Sequence, residues 1–238
     1  MAELDLSKSC LVVAHPDDEV LWFSSILERV GRAVFCFEDC AEYPELGPGR
    51  RALLDAYPLS HVSSLRLPEP CSVHLVDWSR PQPDALGLCL NAPETTPARV
   101  ANYRASFHAL RAELATQLRG VQAVFTHNPW GEYGHADHVQ LARVVEDLRP
   151  QLGFRLFHSG YIAHRTMPLA APFIARCGYW FELPTQPALA ATLQALYRKH
   201  GCWTWPADYE RFASETFLEA TAELPAAGSG VRLNCVTP

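Results

Sequence analysis

The chain has 238 residues, 48% of them hydrophobic and 19% charged, with a formal net charge of −6. That length suits one α/β domain with a sizeable core, and the composition excludes a disordered, collagen-like or coiled-coil chain. A net-negative chain has no bulk attraction for phosphate backbones, so no nucleic-acid partner is expected.

The opening Met1–Lys8 lacks the basic start and apolar run of a secretory signal. Nowhere do about 18 apolar residues run together, so no integral membrane segment and a cytoplasmic location are expected. Cys10–Ala14 is a short apolar run that predicts a buried parallel strand. After the polar turn at His15–Asp18, Val20, Phe23, Ile26, Leu27 and Val30 recur at helical spacing, which predicts a helix over Glu19–Arg32. Ala33–Phe37 reads as a second buried strand. Strand, turn, helix and strand in this order open a doubly wound fold.

Further along, a Pro/Gly-rich loop over 41–50 precedes a short helix predicted at Arg50–Tyr57 and strands at Ser64–Leu67 and Val73–Val76. Four prolines make 79–97 a loop. Ala98–Leu118 carries a long apolar stripe and is predicted helical, and Val121–Thr126 is a buried strand. A loop over His127–Gly134 leads into a helix from Ala136 to Leu148, expected to stop before Pro150, and then a strand at Phe154–His158. Ala188–His200 and Ala207–Leu218 are predicted helices, which makes 184–224 a helical C-terminal portion. The Gly/Pro-containing tail 225–238 is expected to be partly mobile. The eight cysteines are scattered without a C-x-x-C pair and read as buried thiols rather than a disulfide framework. The reading is a single Rossmann-like α/β domain over 1–238, a mostly parallel sheet flanked by helices. Its ligand site is expected at the C-terminal ends of the strands. The sequence carries no signal for an oligomeric state.

Two polar turns stand between a buried strand and a helix. His15-Pro16-Asp17-Asp18-Glu19 gathers three carboxylates and an imidazole in five residues. Helix capping accounts for the acids but not for His15. Zinc accepts imidazole nitrogen and carboxylate oxygen, and a catalytic zinc has three protein ligands plus water. The second turn is Trp130-Gly-Glu-Tyr-Gly-His-Ala-Asp-His138. Its His135 and His138 share one helix face, offering a third ligand and a proton-transfer or oxyanion group. Gly131 and Gly134 allow close backbone approach.

The string Ala14-His-Pro-Asp-Asp-Glu19 resembles the A-H-P-D-D-E signature of the N-acetylglucosaminyl-phosphatidylinositol de-N-acetylase (PIG-L/LmbE-like) superfamily of zinc deacetylases. Tyr133–His138 is similar to that family's second motif, H-x-D-H, with Ala136 where the family often has Pro. The likeness spans about residues 8–150. It implies His15, Asp18 and His138 as zinc ligands, with other divalent transition metals able to take the same donors. It implies Asp17 as general base, His135 as a protonated group that stabilises the tetrahedral intermediate or donates a proton, Asp137 orienting or tuning His135, and Tyr133 against the substrate or transition state; either Asp17 or His135 could protonate the departing amine. Arg50 or Arg51, and Asp77, are the weaker counterparts of substrate contacts. Trp130 and Asn128 in the second loop, and Trp203 and Trp205 in the loop Gly201–Pro206, are candidate walls for a sugar ring.

The resemblance implies hydrolysis of the N-acetyl group of an N-acetylglucosamine-type conjugate, releasing acetate and a free amine. The partner is then a small-molecule or glycoconjugate substrate. The alternative is a zinc amidase of the same fold that cleaves a non-acetyl amide, such as a thiol conjugate or an antibiotic-like molecule.

Overall fold

The structure, a computed structural model, describes residues 4–70, 72–206, 209–220 and 230–237. In chain order the elements are β1 (Ser9–Val13), α1 (Asp18–Trp22), β2 (Arg32–Phe37), α2 (Gly47–Asp55), β3 (Val62–Leu67), β4 (Pro83–Asp84), β5 (Gly87–Leu88), α3 (Pro97–Gln117), β6 (Ala123–Thr126), α4 (Ala136–Leu152), β7 (Arg155–Ser159), β8 (Tyr161–Ile162), α5 (Met167–Ile174), β9 (Trp180–Pro184), α6 (Pro187–Lys199), β10 (Ser214–Glu219) and β11 (Asn234–Cys235).

Seven strands form the central sheet in the order β3-β2-β1-β6-β7-β10-β9. The first five are parallel, and β10 runs antiparallel between β7 and β9. Alternation along the strands separates two core layers. Leu11, Val13, Phe35, Phe125 and Phe157 pack with Leu21, Leu193 and Tyr197 on the α1/α6 face. Cys10, Val12, Val34, Val124 and Leu156 pack with Leu110, Leu114, Leu141 and Val145 on the α3/α4 face. Both faces of the sheet centre are covered, so β1 and β6 are buried at every position, as the apolar run of β1 required. The chain moves from β1 outward to β2 and β3, then returns past β1 to β6. The reversal places a crevice at the carboxyl ends of β1 and β6, where α/β sheets bind ligands.

Four predicted elements differ. The helix expected over Glu19–Arg32 ends at Trp22, because Ser24 and Ser25 donate their N–H groups to the Glu215 carboxylate at 2.9 Å each rather than to the preceding turn. Val73–Val76 is a turn under the 79–97 loop, with Leu75 N–H on the Ser72 carbonyl, and its apolar residues pack locally instead of pairing. Pro150 lies inside α4, which continues to Leu152 and ends at Gly153 with φ +77°. The helix predicted over 207–218 is replaced at 214–219 by β10, whose Phe217 and Leu218 are buried between two neighbouring strands; Ala207 and Asp208 lie outside the described residues. Of the tail, Asn234–Cys235 pairs with β8, while 221–229 and Pro238 lie outside the described residues. Five of the seven described cysteines are buried and all seven are free; Cys71 lies outside the described residues.

Glu215 joins β10 to the end of α1 through both serine amides and both serine hydroxyls. Glu215→Leu leaves two buried N–H donors unpartnered at about 1–3 kcal/mol each, so the expected loss is on the order of 3 kcal/mol. The readout is the urea midpoint at an unchanged m-value. A midpoint within error of the unsubstituted protein would refute this capping role.

Candidate metal centre

Three side chains converge at the β1/β6 crevice. His15 Nδ1 lies 3.4 Å from Asp18 Oδ2, His138 Nε2 lies 3.4 Å from Asp18 Oδ1, and the two imidazole nitrogens are 3.3 Å apart. The turn after β1 brings the first two together. Asp17 between them takes φ +106°, uncommon for a residue with a Cβ, and three backbone bonds hold it there. Its N–H donates to Glu19 Oε2 at 3.0 Å, and its carbonyl accepts the Val20 and Leu21 N–H groups. His138 comes from the first turn of α4.

The tautomers follow from what lies behind the rings. His138 Nδ1 faces Glu132 Oε2 at 2.8 Å, which places the proton on Nδ1 and the Nε2 lone pair toward the centre. His15 Nε2 faces Glu69 Oε1 at 3.3 Å and Asp137 Oδ2 at 3.4 Å, which turns its Nδ1 lone pair inward. Two imidazole lone pairs and a carboxylate thus oppose one another. A tetrahedron with metal–ligand bonds of about 2.0–2.1 Å has edges of about 3.3–3.4 Å, which the separation of the two imidazole nitrogens matches, while Asp18 offers Oδ2 toward His15 and Oδ1 toward His138. The donor set and its spacing fit a divalent cation. Among the described residues, three groupings have their ligand atoms within 4.8 Å of one another: His15 with His135 and His138, Asp18 with His127 and His138, and His15 with Glu69, His135 and Asp137.

Charge supports the same reading. Asp18, Glu69, Glu132 and Asp137 surround the two rings, all strongly buried. Burial opposes the Asp18 charge, but the neighbouring His138 and His127 outweigh it and hold the carboxyl well below its usual range. Burial likewise opposes the Glu132 charge, and His127 and His138 together bring its pKa down to about 2. Burial disfavours a charged His15, yet bonds to Asp137, Asp18 and Glu69 raise it well above the ordinary value. Such a nest of anions attracts positive charge.

Asp17 stands beside the triangle without joining it. Burial pushes its carboxyl up to about 6, with Arg50 opposing and Asp18 reinforcing the shift. The Thr204 hydroxyl donates to Asp17 Oδ2. His135 is the N-cap of α4, and its Nδ1 accepts the Asp137 N–H at 3.3 Å. Burial, followed by the His138 and His15 charges, holds His135 well below its usual pKa. It is therefore a neutral ring with an Nε2–H donor, not the protonated group expected from the sequence. The Asp137 carboxylate lies 3.4 Å from His15 Nε2 and accepts the Ser72 hydroxyl, while its hydrogen bond to His135 comes from its backbone N–H.

A cavity of about 270 Å³ opens over these groups, walled by Arg50, Glu69, Tyr133, Trp205 and Pro206. Arg50 is buried at its edge and donates to the Asp39 carbonyl at 2.7 Å, whereas Arg51 is exposed and outside it. Asp77 accepts from Ser79 in a turn away from the cavity. Trp130 is fully buried with Nε1–H on the Tyr161 carbonyl at 2.7 Å. Asn128 is equally buried and ties Ser159, Tyr161 and Glu132 together. These two build the loop and wall no substrate space. Trp203 packs on Tyr197, and only Trp205 of that pair lines the cavity. Sequence reasoning missed Glu69, Glu132 and Thr204. Of these, only Glu132 had a local signal, an acid between Gly131 and Gly134 in the second turn. His127 also stands at the centre: its Nε2 lies 3.1 Å from Asp18 Oδ2 and its ring stacks on His138 at 3.8 Å.

Glu132→Gln retains the shape behind His138 and removes the charge. Metal affinity is expected to fall about 10–100-fold, measured by competition with a chromophoric chelator; unchanged affinity would remove Glu132 from the site.

The fold and site define an α/β protein in which His15, Asp18 and His138 converge at the sheet's switch point as candidate metal ligands. No protein-family model matches the chain, and no curated protein does. Among solved structures it is similar to the antimicrobial reagent A40926 pseudoaglycone deacetylase, with 11% identity over 90% of this chain and 97% of that one and a TM-score of 0.53. It is also similar to the zinc-inhibited form of teicoplanin deacetylase, with 14% identity over 88% and 97% and a TM-score of 0.50. At these identities the likeness establishes the fold. No helix among the described residues is long and apolar enough to cross a membrane.

Proposed function

We propose that the protein is a metal-dependent N-deacetylase that hydrolyses the acetamide of an amino-sugar conjugate of the N-acetylglucosamine type. The observation that carries this reading is the convergence of the His15 and His138 imidazoles on the two oxygens of Asp18, with a buried carboxylate, Asp17, beside this triangle of side chains and outside it. A divalent cation on that triangle supplies Lewis-acid polarisation of the amide carbonyl and brings the pKa of a bound water from 15.7 toward about 7. Zinc is the proposed ion.

The chain's own groups divide the proton work. Asp17, deprotonated above about pH 6, accepts the proton of the attacking water. The Nε2–H of neutral His135 donates to the developing oxyanion, a contribution of about 3–4 kcal/mol per donor. Tyr133, whose hydroxyl burial holds well above its ordinary pKa, stays a donor at the cavity wall. As the C–N bond breaks, Asp17 returns its proton to the leaving nitrogen, because neutral His135 has no surplus proton to give. Arg50 and Trp205 flank the space for the sugar. The two solved relatives named above carry deacetylase in their names, which favours acetyl over other acyl groups. A non-acetyl amide on the same site is the second reading, and a cytoplasmic setting is proposed with both.

The test is metal content and acetate release on purified protein, against a panel of N-acetylglucosamine conjugates. One metal per chain with chelator-sensitive acetate release supports the deacetylase. Metal bound, no acetate and release of a longer acyl group would favour the second reading.

A further inference from the structure

One wall of the cavity comes from the C-terminal part of the chain, far from both motifs. The loop after α6 runs from Gly201 to Pro206, and Thr204, Trp205 and Pro206 all line the cleft. We propose that Thr204 is a positioning residue for the base: its hydroxyl fixes the Asp17 carboxylate through Oδ2 and leaves Oδ1 to move the proton. This rests on Asp17 acting as base in the reading above.

The backbone of Asp17 is fixed by the Glu19 carboxylate and the amides of α1, but those bonds do not set the side-chain torsions. The Thr204 hydroxyl, 187 residues away, does. Among the described residues Oδ1 has no hydrogen-bond partner, whereas Oδ2 is occupied by an O–H donor. The water proton therefore adds to Oδ1, and the same atom returns it to the departing nitrogen, which closes the proton balance.

The loop is built to hold this contact. Cys202 is fully buried, with its N–H on the Tyr197 carbonyl at 3.0 Å. A Cβ at Gly49 would collide with the His200 carbonyl, so the start of the loop lies flat on α2 one residue from Arg50. Trp205 meets the edges of Trp22 and Tyr133 with ring centres 5.1 and 5.2 Å apart. Thr204 is thus held between two anchored neighbours, although its own surface is exposed.

The test compares Thr204→Val and Thr204→Ser in metal-loaded protein. Two substrates are used: an acetylated amino sugar, and p-nitrophenyl acetate, an activated ester that needs the base but no sugar. Thr204→Val is expected to lower kcat roughly tenfold to a hundredfold. KM should stay within about twofold and metal content should match the unsubstituted protein. Thr204→Ser, which keeps the hydroxyl, should recover kcat to within about threefold. An unchanged kcat in Thr204→Val, or an equal loss in the two variants, would overturn the proposal. Ester turnover without any sugar deacetylation would sink the substrate reading yet still decide the role of Thr204. A metal-loaded protein inert to both substrates would overturn the base assignment and this inference together.

Discussion

Asp17→Asn is expected to retain a full equivalent of metal while kcat falls by about 10²–10⁴, the usual contribution of a positioned acid–base group. The carboxylate is not one of the three converging ligands, so the cation's donors survive the change. Asparagine also tolerates the left-handed backbone that Asp17 adopts at φ +106°, better than most residues. Its amide oxygen can accept the Thr204 hydroxyl as Oδ2 does. What disappears is the ability to take a proton. Metal analysis and acetate release on the same preparation separate these effects, and near-full activity would move the base elsewhere.

The same residue sets the acid limb of the pH profile. Burial raises the Asp17 pKa to about 6, against the opposing charge of Arg50. The base works deprotonated, so kcat/KM falls as pH drops through that value. A cation on the neighbouring triangle lowers the pKa, so the limb is expected at or below about pH 6. The residual activity of Asp17→Asn should lack it.

His138→Ala is expected to abolish tight metal binding, and turnover with it. It removes the Nε2 atom that completes the triangle and leaves two donors where a catalytic centre has three. The loss should exceed the about 10–100-fold expected when only the carboxylate behind the ring is changed. Thermal unfolding gives a readout independent of activity. A ligand at 1,000 times its Kd stabilises the native state by about 4 kcal/mol, so added zinc should raise the Tm of the unsubstituted protein and leave that of His138→Ala in place. The groupings of Asp18, His127 and His138 and of His15, His135 and His138 also use this residue, whereas that of His15, Glu69, His135 and Asp137 does not. An unaltered zinc shift in the variant would therefore transfer the site to that last set.

Local sequence determined the frame of this protein. The apolar run ending at Ala14 reads as a strand covered on both faces, and Ala123–Thr126 is the same kind of segment, so each of the two polar turns follows a buried strand; the sheet then sets those strands side by side. Donors three residues apart in each turn made His15, Asp18, His135 and His138 candidates, and the resemblance carried by the two turns supplied their expected roles and that of Asp17. Period and spacing carry that information because they act within a few residues.

Tertiary structure decided what depends on partners far along the chain. Glu215, 191 residues from Ser24, stops a helix whose apolar spacing runs on to Val30. Segment 214–219 is a strand because β7 and β9 offer ladders on both sides, which outweighs its helical pattern. Trp130 and Asn128 sit in a motif-like loop, but buried bonds to Tyr161 and Ser159 make them its scaffold. The partner of the Asp137 carboxylate is His15, 122 residues away, rather than its neighbour His135. Thr204 reaches Asp17 only because α6 and its loop fold back over the cleft. Each is a hydrogen bond between groups whose separation in the chain leaves no periodic trace, so it exists only once the sheet has brought them together.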